Sequence, residues 1–304
     1  MRILLVSILA VLSMICSPLI QAQQRPVAEP LATDKADARD REESDWKTLF
    51  DVDAPKPDRL ASFEHLTALA DRGSALVQFL VGAMFRSGME HPTHLVPRDL
   101  DRAAIYLSNA AVNGQVDAMA SMAELSLQQH KALDAMVWAQ LFAHYDAANP
   151  ATAAHEVGVK AKGYTAKLLL RCADAGRDTI EQATLNERLQ SFVAEYDARI
   201  KQHREHGTGF PHAQTLEFDG AQVIRVSDYL KDSARADYVI GVDKSGLVKK
   251  VITIEAWPEA RLADDIQPLL GRLRFKKLQD PAAQNLRWGI LPMSFDYDGT
   301  PVIR

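Results

Sequence analysis

The chain has 304 residues, of which 47% are hydrophobic and 25% charged. That is enough apolar side chain for one or two packed domains and too much for wholesale disorder. A net charge of −5, with no basic stripe, sets aside nucleic-acid binding built on phosphate neutralisation.

Met1-Arg2 is a short basic start, and Ile3 to Ile20 is almost wholly apolar. Gln21-Ala22-Gln23 follows, with a small residue at the expected cut. Residues 1–22 therefore read as a secretory signal peptide, and the expected location is the periplasm. An uncleaved anchor in the inner membrane is the alternative, because the run approaches the roughly 20 apolar residues that a span needs. Pro18 and Ala22 favour cleavage. Cys16 does not fit a lipoprotein signal, since Ile15 stands where that pattern has a small residue. Cleavage leaves Cys172, which has no partner for an internal disulfide and sits in an apolar helical stretch as an expected buried thiol.

Residues 23–58 are expected to be a flexible lead-in: they are polar, dense in charge and broken by Pro26, Pro30, Pro55 and Pro57. From 59 to 206 proline is nearly absent, and apolar residues recur at three- and four-residue spacing, which predicts helices. Gly73 to Phe85 runs parallel to Gly114 to Ser126, with Val77 matching Ala118, Val81 matching Met122 and Gly82 matching Ala123. In the following helices Ala103 pairs with Ala135, Tyr106 with Trp138 and Ala111 with Ala143. The two offsets differ because the first copy carries an insert near Met89 to Pro97. Each unit is thus a pair of short helices. Small residues (Gly82, Ala110, Ala111, Ala123) permit close approach and large ones (Phe79, Phe85, Tyr106, Trp138, Phe142) fill the layers, so that neighbours must stack to bury their apolar faces.

Gly73 to Gly88, then Asp99, Ala103, Tyr106, Ala110-Ala111 and Gly114, resemble the Sel-one-like repeat, a relative of the tetratricopeptide repeat. The resemblance covers roughly residues 60–150. The second unit departs from it, with Ala123 for the helix glycine and Ser126 for the aromatic. It implies a scaffold for protein partners; an unrelated helical bundle is the alternative. Residues 176–205 read as one long helix, with Leu185, Leu189, Phe192 and Tyr196 on its apolar side, closing the stack before Gly207, Gly209 and Pro211.

From His212 the period shortens. Thr215 to Val226 reads as a hairpin around Asp219-Gly220, Tyr238 to Asp243 as a strand, and Val248 to Glu255 as its return. Leu262, Ile266, Leu269, Leu270 and Leu273 form a helical stripe, with Pro268 tolerable if the helix begins near Asp264. The last strand spans Trp288 to Asp298, with Leu291, Met293, Phe295 and Tyr297 alternating on one face. Pro292 points to an edge position. The expected fold is therefore multidomain: an all-α helical-repeat domain over 59–206 and a small α+β (β-β-α-β) domain over 212–304.

Over residues 225–298 this module resembles the C-terminal domain of TonB-type energy transducers, on Tyr229, Ala234-Arg235, the turn around Asp243 and Gly246, Leu262, Arg274-Phe275 and Leu291 to Phe295. Leu230 and Lys277 stand where that family often has proline. The resemblance implies pairing of an extended partner peptide with an exposed strand. Its candidate edge residues here are Trp288, Ile290, Leu291, Met293, Phe295 and Tyr297.

No nucleophile elbow, phosphate-binding loop or zinc-protease histidine pair occurs. His203, His206 and His212 read as a solvated helix end rather than a metal site. The expectation is a non-enzymatic periplasmic adaptor with no catalytic residue, cofactor or metal. Its partners are other envelope proteins or extended peptides, not nucleic acid, and it meets the membrane only if the first segment is uncleaved. The alternatives are an anchored TonB-type transducer, for which the polar stretch of residues 23–45 would extend at most roughly 80 Å, and an envelope enzyme with an unrecognised site.

Overall fold

The computed structural model describes residues 32–147, 163–206, 216–220, 233–259, 262–277, 286–295 and 301–303. The expected signal peptide and Tyr297 lie outside them. The described part of the chain is mostly helical, with a small antiparallel sheet near its C-terminal end.

Helices α1 (Ala32–Phe50), α2 (Lys56–Asp71), α3 (Ala75–Ser87), α4 (Leu100–Val112), α5 (Val116–Gln128), α6 (Ala132–Ala147) and α7 (Tyr164–Ala175) each pack on the next. The 25-residue α8 (Gln182–His206) lies across α4 and α6. Only one stripe of it faces inward, where Leu185, Phe192 and Ile200 are buried. Tyr145 donates to Asp197 at 3.0 Å, and Arg188 pairs with Asp134 at 2.5 Å.

The expected flexible lead-in is corrected by α1. Residues 32–50 are helical, and Trp46 and Leu49 are fully buried. Two aromatics, Trp46 and Phe50, and one leucine at the end of a mostly polar segment suffice once α2 supplies a surface, because tertiary packing decides marginal helices. Arg59 fastens the end of α1, donating from Nε to the Leu49 carbonyl at 3.1 Å and from Nη2 to the Thr93 carbonyl.

Helices α3 and α5 each have 13 residues and begin 41 positions apart; α4 and α6 begin 32 positions apart. Both spacings match the offsets read from sequence. Gly82 is where α3 and α4 touch, since a Cβ there would lie 2.7 Å from Leu107 Cγ.

Strands β1 (Ala234–Val242), β2 (Val248–Trp257), β3 (Arg287–Phe295) and the three-residue β4 (Pro301–Ile303) are ordered β2-β1-β3-β4, antiparallel throughout. Helix α9 (Leu262–Leu270) covers one face. The alternation of β1 divides its side chains: Ala234, Ala236, Tyr238, Ile240 and Val242 pack with the α9 leucines, while Val239 joins the helical core with Ile252, Ile254, Trp257 and Trp288. The sheet is thus sandwiched between α9 and the helices of the first half. Helix α9 begins at Leu262, two residues earlier than expected, so Pro268 is its seventh residue rather than part of its first turn. The missing amide at Pro268 removes one helical hydrogen bond, and the helix ends two residues later.

Gly82→Ala tests the close approach of α3 and α4. Helix propensity alone would stabilise the variant by about 1 kcal/mol. Because Leu107 is fully buried and its backbone nitrogen would also lie 3.1 Å from the added Cβ, overpacking is expected to dominate, with a net loss of about 1–3 kcal/mol in urea unfolding. Introduced together with Leu107→Ala, the Gly82→Ala change should cost less than it does alone.

Candidate functional site: a buried polar seam

Between the helices and the sheet lies a line of charged and aromatic groups sealed from water. Its centre is Arg86, the last charged residue of α3, and Glu255 on β2; their side chains are 2% and 0% exposed. Arg86 donates Nε to Glu255 Oε2 at 3.0 Å and Nη2 to Oε1 at 2.7 Å, a bidentate pair. The same Nη2 reaches the Ala256 carbonyl at 3.1 Å. Glu255 also accepts from the Ser121 hydroxyl and the Ala256 amide. Burial alone would depress the Arg86 guanidinium, yet the facing Glu255 carboxylate leaves it raised and charged.

Trp257 sits beside this pair. Its ring stacks on Phe79 at 6.1 Å, and its Nε1 donates to Ser121 Oγ at 3.0 Å. Tyr164 follows, 6.2 Å from Trp257 and donating its hydroxyl to Glu124 at 2.8 Å. Arg171 holds both Glu124 oxygens. Cys172 is buried next to them, and burial together with the Glu124 charge pushes its thiol up to about 12. It remains a protonated packing group, not a nucleophile.

The insert of the first helix pair has a structural task. His91, 1% exposed, receives the Thr93 amide at Nδ1 (3.3 Å), which places its proton on Nε2, 3.2 Å from the Ile254 carbonyl. Burial lowers its pKa to about 4, so the imidazole stays neutral. The outer strand β2 thereby has its Ile254 and Ala256 carbonyls taken by side chains of the helical half, which blunts a sheet edge.

At the opposite end of the seam Arg235 of β1 pairs with Asp117 of α5 and lies 3.6 Å from Asp146 of α6 and 3.8 Å from Asp237 of β1. Its guanidinium also lies 5.4 Å from the Phe142 ring centre, within cation–π reach.

The candidate edge residues are distributed differently from a peptide-binding strip. Trp288 and Ile290 face the helices, and Leu291 and Met293 face α9. The Trp288 indole donates to Glu43 of α1 at 3.1 Å, beneath Lys47. Met293, Ser294 and Phe295 are paired on both sides, by β1 and by β4, so this end of β3 is not the edge that Pro292 suggested. Within β3, the pairing described for Arg287–Pro292 is with β1 alone.

Arg86, Glu255, Trp257, Ser121 and Asp237 are not among the site residues expected from sequence, and Arg235 enters there only through the resemblance at Ala234-Arg235. The available signal was a charged residue inside an apolar run, Arg86 closing α3 and Glu255 within Ile252 to Trp257. Their pairing across 169 positions carries no local pattern. The seam's chemistry is that of a clamp: fixed ion pairs, aromatic stacking and edge capping. Among the described residues no three His, Cys, Asp or Glu side chains are placed to hold a metal ion. No family model, no curated protein and no solved structure matches this chain.

Removing one member of the central pair strands the other. Arg86→Met and Glu255→Leu are each expected to cost about 3–5 kcal/mol in urea unfolding, and the double variant to recover most of that loss, since an apolar replacement of a buried pair is often neutral.

Proposed function

We propose that the protein is an exported scaffold of the bacterial envelope that works in the periplasm by holding other proteins, not by catalysis. The observation that carries this reading is the matched pair of helical units: α3 and α5 are equal in length, and both pairs start at the offsets at which the sequence repeats itself. Stacked helical pairs of this kind offer extended surfaces for protein partners. In this reading residues 59–206 are the repeat domain, 212–304 the small α+β module, and the seam a fixed joint that turns the two into one rigid platform.

Export rests on the apolar run from Ile3 to Ile20 and the small residue Ala22. Among the described residues no helix is long and apolar enough to cross a membrane. The flank of β3 along Arg287–Pro292 is the proposed place for an extended peptide, through main-chain pairing. The burial of Trp288 and Leu291 gives the backbone, rather than those side chains, the leading part. A transducer anchored by residues 3–20 is the competing reading.

Sequencing the N-terminus of protein purified from its native envelope separates the two. The scaffold reading expects a soluble periplasmic species beginning at Gln23. A membrane-bound species that retains the first 22 residues would contradict it and favour the anchored transducer.

A further inference from the structure

Four carboxyl groups converge where β1 and β2 meet the helices: Asp117 of α5, Asp146 of α6, Asp237 of β1 and Glu255 of β2. Among the described residues the guanidiniums of Arg235 and Arg86 face them. Asp117 and Asp237 both face the one guanidinium of Arg235, so with both ionised a negative charge would be left over among side chains that are at most 15% exposed. A surplus charge out of water is expensive, and a carboxyl group escapes the cost by keeping its proton.

The geometry picks out which group does so. Glu255 holds two guanidinium hydrogen bonds. Asp117 takes the Nη2 of Arg235, and Asp146 lies 3.6 Å from its Nη1. Asp237, with a side chain 2% exposed, has no donor on either oxygen among the described residues. An ionised carboxylate there accepts nothing. A neutral one has a proton to give, and Asp117 is the acceptor beside it.

We propose that the seam is a proton-operated latch, in which Asp237 closes the joint as a neutral acid donating to Asp117 and loss of that proton loosens β1 from α5 and α6. Among the described residues the charged and titratable groups around Asp237 are Arg235 on its own strand, Glu255 directly opposite on β2, Asp117 on α5 and Asp146 on α6. Tyr164 on α7 adds its field at Arg235, and Arg86 on α3 neutralises Glu255. On β3 the opposite residue is Pro292, which does not titrate, and Ser294 accepts from Arg235. Burial first, and then the negative charge of Asp117, hold the Asp237 carboxyl well above the usual carboxylate range. An unfolded aspartate releases its proton near about 3.9. The contribution of Asp237 to stability is therefore complete below that value and declines as pH rises toward its folded value. His91 acts with the opposite sign, weakening the seam as pH falls from its ordinary value of 6.5 toward about 4. Comparison with a variant changed only at Asp237 cancels that contribution.

Asp237→Asn is the test variant, because the amide keeps the shape and the donor but cannot ionise. Urea unfolding of the whole mature chain is followed from pH 5.5 to 8.5 for both proteins. The unfolding constant of the wild type, divided by that of the variant, is expected to rise with pH, approaching about tenfold per pH unit, the limit for one proton. A flat ratio would overturn the proposal. Carbon-13 NMR of the Asp237 carboxyl in the folded wild type reads the same proton with no variant at all. A carboxyl still protonated at pH 6 supports the latch, and one already ionised there overturns it, even if Asp237→Asn fails to fold.

Discussion

A guanidinium sealed from water has no neutral form to retreat to, so Arg86 must be met by a fixed anion wherever the fold buries it. The anion lies 169 residues away, on the outer strand of a sheet. That requirement explains why the rest of the seam has its form. β2 must lie along α3 with Glu255 inward, and Trp257 then falls against Phe79 and Ser121. The loop after α3 reaches over to the Ile254 carbonyl. Position along β2 is set by charge and hydrogen bonding, while the driving force for closing the joint is the apolar surface of Val239, Ile252, Ile254, Trp257 and Trp288, which belongs to the same buried cluster as the helices. An ion pair of this kind adds little net stability over an apolar core, but it makes wrong registers costly because they strand a charge.

Local pattern was legible where it repeats. The two helical offsets and the strand-turn-strand around Gly246 follow from periodicity and turn chemistry, and the leucine stripe falls on α9 except for Leu273, which lies beyond its end. α1 was not legible, because its burial depends on Trp46 and Leu49 finding α2 and on Arg59 capping its last turn from another helix. Pro292 was misleading for a related reason. It fixes what β3 lacks at one position, but β4 supplies pairing only to Met293, Ser294 and Phe295, which a single proline does not encode. The seam was illegible for the most basic reason. Arg86, Glu255 and Asp237 look like ordinary charged residues until the sheet is placed on the helices.

The placement also bears on what the protein does. An insert that breaks the symmetry of the helical units would read as a variable surface loop. Here it turns inward and holds β2 through a neutral histidine. Helical surface that a free stack would offer to others is covered by the chain's own strands. Partners of the proposed scaffold are then left the outer faces, including α8 with its exposed polar side, and the flank of β3 along Arg287–Pro292, beyond the residues that β4 pairs. Rigidity is the property that such a platform needs, and the buried pairs supply it.

The central claim is that helices and sheet open together because the seam joins them. Native-state hydrogen exchange across a series of sub-denaturing urea concentrations tests it most directly, by following backbone amides of α3 beside those of β1 and β2. The account predicts that the slowest amides of both regions exchange through one opening with the same free energy and the same urea dependence. A sheet whose amides exchange through a separate, smaller opening, while α3 stays protected, would contradict it.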